Sequence, residues 1–411
     1  MADLRNTAAP NVPYFTPAQD PPAGTAFSPQ SDGSLPPTLY KPITIRGTTF
    51  QNRIFLAPLC QYSAKDGLMT PWHLAHLGGI ATRGPGCTII EATSVVPEGR
   101  ITPEDVGLWN DEQEKKHAEI VAFAHSQSQK IGIQIAHAGR KASTLAPWVH
   151  RGMVATKEQG GWPEEVYGPS DIPYNEEFPV PKAMTEEQIK ATVDAFAATA
   201  KRAVNAGYDV IEIHNAHGYL LHSFLSPLSN KRTDKYGGSF ENRTRLTLEV
   251  VEAVRAAIPK DMPLFFRISA LDWVEDQPSW TVEQTVKLAP LLAARGVDFI
   301  DVSSGGLHPS QKIIGGPAYQ APFAKAVKAA LKGTDCVVSC VGTIESGKLA
   351  QELLDNESAD IISVGRGFQR NPGLVWAWAE ELEVEMVAAH QMVWGYGGKA
   401  GGKKQVKNFV V

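Results

Sequence analysis

Only four cysteines occur in 411 residues, at positions 60, 87, 336 and 340, and none forms a Cys-x-x-Cys pair. Neither a disulfide scaffold nor a zinc or iron–sulfur site is supported, and a reducing, cytoplasmic compartment is the expectation. Charge of one sign is also scarce. The formal net charge is −5, which argues against nucleic acid or a membrane surface as a partner. No apolar run approaches the roughly 20 residues a membrane span needs. The first 36 residues have no apolar core like that of a signal peptide, and their single arginine, Arg5, is a poor fit to a transit peptide. No Gly-x-Gly-x-x-Gly fingerprint follows a strand-like run and no Walker sequence appears, so any phosphate belongs to a mononucleotide-like cofactor or to a substrate.

What is present is a rhythm of eight short apolar runs: Ile54–Ala57, Thr88–Ala92, Ile131–Ile135, Val210–His214, Leu264–Ser269, Phe299–Ser303, Cys336–Cys340 and Ile361–Gly365. Most are followed by a stretch of helical character. That order is the mark of an α/β chain folded as a (β/α)8 TIM barrel, whose chemistry sits in the loops after its strands. The chain exceeds the roughly 250 residues typical of such a barrel. We assign the surplus to a disordered or extended N-terminal arm over 1–36, a lid at 145–183 inside a catalytic barrel spanning 37–384, and a C-terminal tail over 385–411. Leu39–Phe50 alternates as a short β-hairpin around Arg46-Gly47, expected to plug the bottom of the barrel. The lid carries Trp148, Trp162 and Tyr167 and is too long to be a plain connection. Ser304–Gln320 is a second, glycine-rich loop.

Boundaries and faces can also be read. Thr185 with Gln188 makes a capping box, and Ile189, Val193, Phe196, Ala200 and Val204 recur at helical spacing until Gly207. Thr281 with Gln284 opens another helix that ends near Gly296. In the strands the period is two: Ile131, Ile133 and Ile135 oppose Gln134, and Ile211 and Ile213 oppose Glu212 and His214. With the first set packed on helices, Gln134, His214 and Arg267 fall on the inner face at the upper rim.

These rim residues carry chemistry. His214-Asn215-Ala216-His217-Gly218-Tyr219 ends the fourth run. Two imidazoles three apart can share a face and donate hydrogen bonds to one substrate oxygen. A tyrosine, protonated at neutral pH, can serve beside them as general acid. A zinc pair is the alternative, but no third ligand of the right type is evident, so no metal is predicted. Arg267 needs an anionic or electron-rich partner inside a barrel. Glu212 or Asp301 would supply a purely structural one, whereas Gln134 beside it would suit a heterocycle with carbonyl and N–H edges. Gly342 after the seventh run and Gly365-Arg366 after the eighth stand where such barrels commonly hold a phosphate. Cys60, at the mouth of the first strand, is either filler or a polarizable contact to a redox cofactor.

Several segments together resemble the old yellow enzyme family of FMN-dependent ene-reductases. They are Ala57-Pro58-Leu59-Cys60-Gln61-Tyr62-Ser63, Gln134 through Lys141, His214 through Tyr219 with Leu225-Ser226-Pro227, Asn230 through Ser239 with Glu241-Asn242-Arg243, and Gly365-Arg366. The similarity spans Leu39 to Leu382, and its Asp-x-Tyr-Gly-Gly-Ser stretch is highly specific. Cys60 and the paired histidines look like the thermophilic-like branch. The resemblance implies FMN as cofactor, NAD(P)H as hydride donor and an activated alkene as the small-molecule substrate. It places Ala57, Pro58, Leu59, Cys60, Ala92, Gln134, Arg267, Gly342, Gly365 and Arg366 against FMN. His214 and His217 would bind the activating carbonyl or nitro oxygen, Tyr219 would deliver the proton, and Tyr62 would contact the substrate. That branch often forms homodimers that insert a C-terminal arginine into the partner's site. Here no arginine follows Arg370, and the corresponding stretch reads Gln391-Met392-Val393-Trp394-Gly395-Tyr396.

Rival readings use the same residues differently. A dedicated biosynthetic reductase or isomerase would share the scaffold. A flavin-binding redox sensor would use Cys60 as a reactive thiol but has no need of a proton donor. A barrel aldolase would want a Schiff-base lysine on a strand, and no lysine ends any of the eight runs.

Overall fold

All eight apolar runs become parallel strands of one closed barrel. The computed structural model describes residues 6–396; Arg5 and the Gly- and Lys-rich end of the tail lie outside the described residues. The hairpin comes first, as β1 (Ile43–Ile45) and β2 (Thr48–Phe50), paired antiparallel around Arg46-Gly47. Next come the barrel strands β3 (Ile54–Leu56), β4 (Cys87–Ser94) and β5 (Ile131–Ala136). The lid contributes a small ladder of β6 (Tyr167–Gly168) and β7 (Lys182–Ala183). The barrel resumes with β8 (Val210–Asn215), β9 (Leu264–Ser269), β10 (Phe299–Ser303), β11 (Val337–Cys340) and β12 (Ile361–Val364), and β12 closes on β3. The strands carry apolar side chains on both faces because helices cover the outside and the lumen is filled.

Those helices include α1 (Pro71–Ala81), α2 (Asp111–Ser126), α3 (Glu186–Ala206), the short α4 (Leu220–Leu225) directly after β8, α5 (Phe240–Ala257) and α6 (Val282–Ala293). The capping box opens α3 as expected: Gln188 N donates to Thr185 Oγ1 at 3.2 Å and Gln188 Oε1 accepts from Thr185 N at 2.9 Å. Gly207 then ends the helix at φ +94°, a conformation glycine adopts without strain. Thr281 does stand at the N-cap of α6, but its side chain makes no capping bond, and Gln284 Oε1 is buried without a partner. The helix forms there on packing rather than on its cap.

The barrel floor is aromatic. Ile45 and Phe50 of the hairpin pack on Phe55, Phe265 and Phe299, and the Phe265 and Phe299 rings stack at 4.1 Å. This seals the lower end, so chemistry is confined to the upper rim. Of the two readings of the arm, extended is the one that fits the described residues. Gly24 N donates to Val387 O at 2.9 Å, Val387 N to Thr25 O at 2.8 Å and Phe27 N to Glu385 O at 3.0 Å. Asn52 Nδ2 holds Gly24 O and Gly84 O. The Pro- and Ser-rich composition suggested disorder, yet its backbone groups find partners in residues 385–387 and under the hairpin. No helix among the described residues is long and apolar enough to cross a membrane.

Because Phe265 sits in this sealed floor with no solvent exposure, Phe265→Ala is expected to cost about 3–5 kcal/mol of stability. Chemical denaturation followed by circular dichroism checks this; a shift below 1 kcal/mol would mean that the floor collapses to refill the gap.

Candidate active site

The upper lumen holds a belt of polar side chains fixed by strand register. Gln134 stands opposite Glu212, His214 opposite Arg267, and Arg267 opposite Asp301. Gln134 Nε2 donates to Glu212 Oε1 at 2.7 Å, while Glu212 Oε2 is buried without a partner. Burial, reinforced by Asp301 nearby, pushes the Glu212 carboxyl up. Arg267 Nε lies 3.1 Å from Asp301 Oδ2, and Ser339 Oγ donates to Asp301 Oδ1 at 2.5 Å. The structural partner that sequence reasoning allowed for Arg267 is therefore present, and it is Asp301 rather than Glu212.

Above the belt, β8 runs straight into a turn. His217 takes φ +58° and Gly218 φ +78°, and a Cβ at Gly218 would lie 2.3 Å from Gly306 O. Only a bare backbone fits there. The turn brings the three expected side chains together: the His214 ring lies 5.4 Å from His217 and 5.0 Å from Tyr219. His217 is further fixed through Nε2 to Ser303 Oγ at 2.8 Å, and through its backbone N–H to Ser269 Oγ. His214 Nδ1 is buried without a partner. Burial lowers both imidazoles well below the usual histidine range, and Arg267 pushes them further down. Both are neutral at physiological pH and each keeps one N–H to donate. Burial drives the Tyr219 phenol well up, so it stays a proton donor.

The first loop is aimed by a bulge. Register between β4 and β5 slips between Ile90 and Ala92, and the extra residue is Glu91. Its carboxylate meets His73 Nε2 at 2.9 Å and accepts from Gln61 N at 2.5 Å. That anchors Cys60-Gln61-Tyr62, with Tyr62 at φ +46° and its ring edge-on to lid residue Trp148 at 5.5 Å. Burial, with Asp105 and Glu91 adding to it, raises the Cys60 thiol well above its usual range. That favours the thiol over the thiolate, which weighs against the redox-sensor reading.

A cleft of about 200 Å3 opens beside the belt, lined by Ala57, Pro58, Leu59, Arg267, Gly342, Gly365 and Arg366 among others. These are seven of the ten residues expected against a cofactor. Cys60, Ala92 and Gln134 lie outside its lining, toward His214 and Tyr219. Gly342 has φ +115°, and a Cβ there would meet Gln320 Nε2 at 2.7 Å. The bare backbone, the cationic Arg366 and the Arg267 head suit a flat heterocycle carrying a phosphate, which is what FMN is. Among the described residues no cluster of three His, Cys, Asp or Glu could hold a metal.

Several working residues escaped sequence reasoning. Lys141 Nζ donates to His217 O at 2.9 Å and to Gly306 O, and lies 4.1 Å from the Tyr174 ring. Burial, with Arg140 beside it, lowers its pKa to about 7. Arg140 donates to Ile172 O and Pro173 O of the lid and to Leu307 O of the glycine-rich loop. Two cations in a row after a strand were the available signal. Ser303, Gln320 and Glu91 gave none, since each acts through a partner remote in sequence.

Comparisons with known proteins give the family and the fold. The model of the NADH:flavin oxidoreductase / NADH oxidase family matches residues 38–385. The NADH:flavin oxidoreductase FG08077 of Gibberella zeae is 56% identical over 98% of each chain. The NADPH dehydrogenase of Bacillus subtilis is 41% identical over 87% of this chain and 99% of its own. A solved structure of morphinone reductase in complex with tetrahydroNAD superposes with a TM-score of 0.69 at 26% identity, covering 85% of this chain and 92% of that one.

The cradle at Gly342 makes a test. Gly342→Ala would push on Gln320 and strain the backbone by roughly 1–2 kcal/mol, and FMN affinity is expected to fall about tenfold or more. Fluorescence-quenching titration of the apoprotein with FMN measures this; an unchanged Kd would take the cradle out of cofactor binding.

Proposed function

This chain belongs to the NADH:flavin oxidoreductase / NADH oxidase family, and on that premise we propose that it reduces the C=C bond of α,β-unsaturated carbonyl or nitro compounds. It is an oxidoreductase that uses FMN with NAD(P)H. When bound, FMN would supply two-electron hydride chemistry between the nicotinamide and the alkene. What this chain adds is position and protons.

Ala57, Pro58, Leu59, Cys60, Ala92, Gln134, Arg267, Gly342, Gly365 and Arg366 would hold the cofactor. Arg267 supplies positive charge where negative charge accumulates on reduction, and the Asp301 pair keeps its guanidinium oriented. His214 and His217 polarise the substrate's oxygen as neutral donors. Such charge-developing bonds are worth about 1.5–3 kcal/mol each. Tyr219 gives its proton to the α-carbon, and Tyr62 with Trp148 bounds the substrate from the first loop and the lid. The observation that carries this reading is the convergence of three neutral donors, His214, His217 and Tyr219, on one point of the rim. An aldolase or a sensor has no use for that set.

Replacing Tyr219 with Phe keeps the ring and removes the proton. In anaerobic stopped-flow, FMN reduction by NADPH is expected to proceed as in the wild type, while reoxidation by 2-cyclohexen-1-one slows by roughly 10²–10⁴-fold. Reoxidation at the wild-type rate would refute the assignment of Tyr219.

A further inference from the structure

Resting on the reading of Tyr219 as proton donor, we propose that Asp105 is the group that reprotonates it, through a single water in the small cavity whose lining the two residues share. That cavity, about 10 Å3, is lined by Tyr219, Asp105, Arg100, Ser94, Ala92, Ala136 and Ala138, among others. It has room for about one water, and Tyr219, Asp105, Arg100 and Ser94 are the polar residues on an otherwise largely apolar lining.

The need arises from chemistry. Each turnover removes the Tyr219 proton to the substrate's α-carbon and leaves a phenolate in a largely buried place. Groups near it are poor sources. Lys141 Nζ lies 5.8 Å from the Tyr219 ring and is lowered to about 7, but its N–H bonds go to His217 O and Gly306 O. The Cys60 thiol and the Tyr62 phenol are both pushed up by burial, and His214 and His217 are held neutral. Asp105 differs. It is 2% exposed, and burial with Glu91 nearby raises its carboxyl to about 7, so it exchanges a proton near neutrality. The charged and titratable groups facing it are Glu91 from β4, Arg100 across the cavity, Cys60 and Tyr62 from the first loop, and Tyr219. Arg100 feels Asp105 as its foremost charge partner, but its side-chain bonds go elsewhere. Its guanidinium donates to Pro97 O and Pro103 O and stacks on Trp162 at 4.5 Å and Trp109 at 5.5 Å.

The steps balance without electron transfer. The cavity water gives a proton to the phenolate oxygen and takes one from the Asp105 carboxyl, and the resulting carboxylate regains a proton from solvent past the partly exposed Arg100. Local bonding tolerates both states. Asp105 Oδ2 accepts from Ile101 N at 2.7 Å, and Oδ1 lies 3.1 Å from Thr102 Oγ1, a hydroxyl that either donates or accepts. Those same two bonds also hold the 101–105 turn, so a structural role is the reading to be separated.

Asp105→Asn keeps the shape and removes the titration. Mixed with excess NADPH and 2-cyclohexen-1-one, the variant is expected to reoxidise at the wild-type rate in the first turnover and then run roughly tenfold or more slower. The wild type's turnover should fall as pH rises through about 7, and the variant's should stay flat. Ala138→Val, which fills the cavity and leaves Asp105 intact, should reproduce the slow later turnovers and keeps the proposal testable if the asparagine variant does not fold. Infrared difference spectra of the oxidised holoprotein should show a protonated-carboxyl band that titrates near pH 7 and is missing in Asp105→Asn. Later turnovers at the wild-type rate, or a first turnover slowed as much as the rest, would overturn the relay. Neither result touches Tyr219 as donor, which the phenylalanine variant decides by itself.

Discussion

Arg267 is a cation inside a barrel whose other interior layers are largely aromatic and aliphatic, and much of the upper half follows from keeping it charged and oriented. Its partner Asp301 lies one strand over in register, is 1% exposed, and is itself held by Ser339, which is bonded in turn to Ser363. A buried pair of this kind contributes little net stability, since desolvating both ions offsets their attraction. It is retained for what its field does. Arg267 pushes His214 and His217 further from protonation, and its guanidinium faces the cleft that would hold a flavin. One ion pair thus bears on the protonation side of the site and, on the proposed reading, on its flavin side.

The loops above the belt are tied down by donors that find carbonyls instead of carboxylates. Arg140 joins the lid to the glycine-rich loop, and Lys141 joins that loop to the His217 turn. Charge-assisted bonds to carbonyls are strong, and in place of an ion pair they leave the cations' charge uncancelled. Lys141 adds to Arg267 in disfavouring imidazolium. That position therefore holds geometry and shapes potential at once.

The barrel was legible because its signals are local: eight apolar runs, their period-two faces, a capping box at Thr185 and a hairpin around Arg46-Gly47. The family motifs extended this to the chain's membership and to its cofactor. Gln134, His214 and Arg267 could be placed on one face because strand periodicity carries that information directly, and the structure sets them in adjacent registers. What stayed hidden depends on pairing across distance. Nothing near Glu91 says that a bulge turns it onto His73 and Gln61. Nothing near Asp105 says that it shares a cavity with a tyrosine 114 positions away. The arm stayed open between disordered and extended for the same reason: its composition is that of a disordered segment, and its order comes from hydrogen bonds to residues 385–387.

Taken as electrostatics, the mouth is a place where most titratable groups are driven to their uncharged forms. Histidines lose protons, while the phenols and the thiol keep theirs, because burial penalises every charge that lacks a partner. Neutral donors serve a reaction in which charge appears only transiently, since they stabilise the developing oxyanion without pairing with it beforehand. The same condition makes proton supply the weak point, since Lys141, lowered to about 7, is bonded to two carbonyls. In the proposed relay, a carboxyl raised to about 7 that shares a cavity with the donor meets that need. Burial therefore has two consequences in this barrel. It turns the rim side chains into hydrogen-bond donors, and it tunes Asp105, beneath them, toward exchange with solvent.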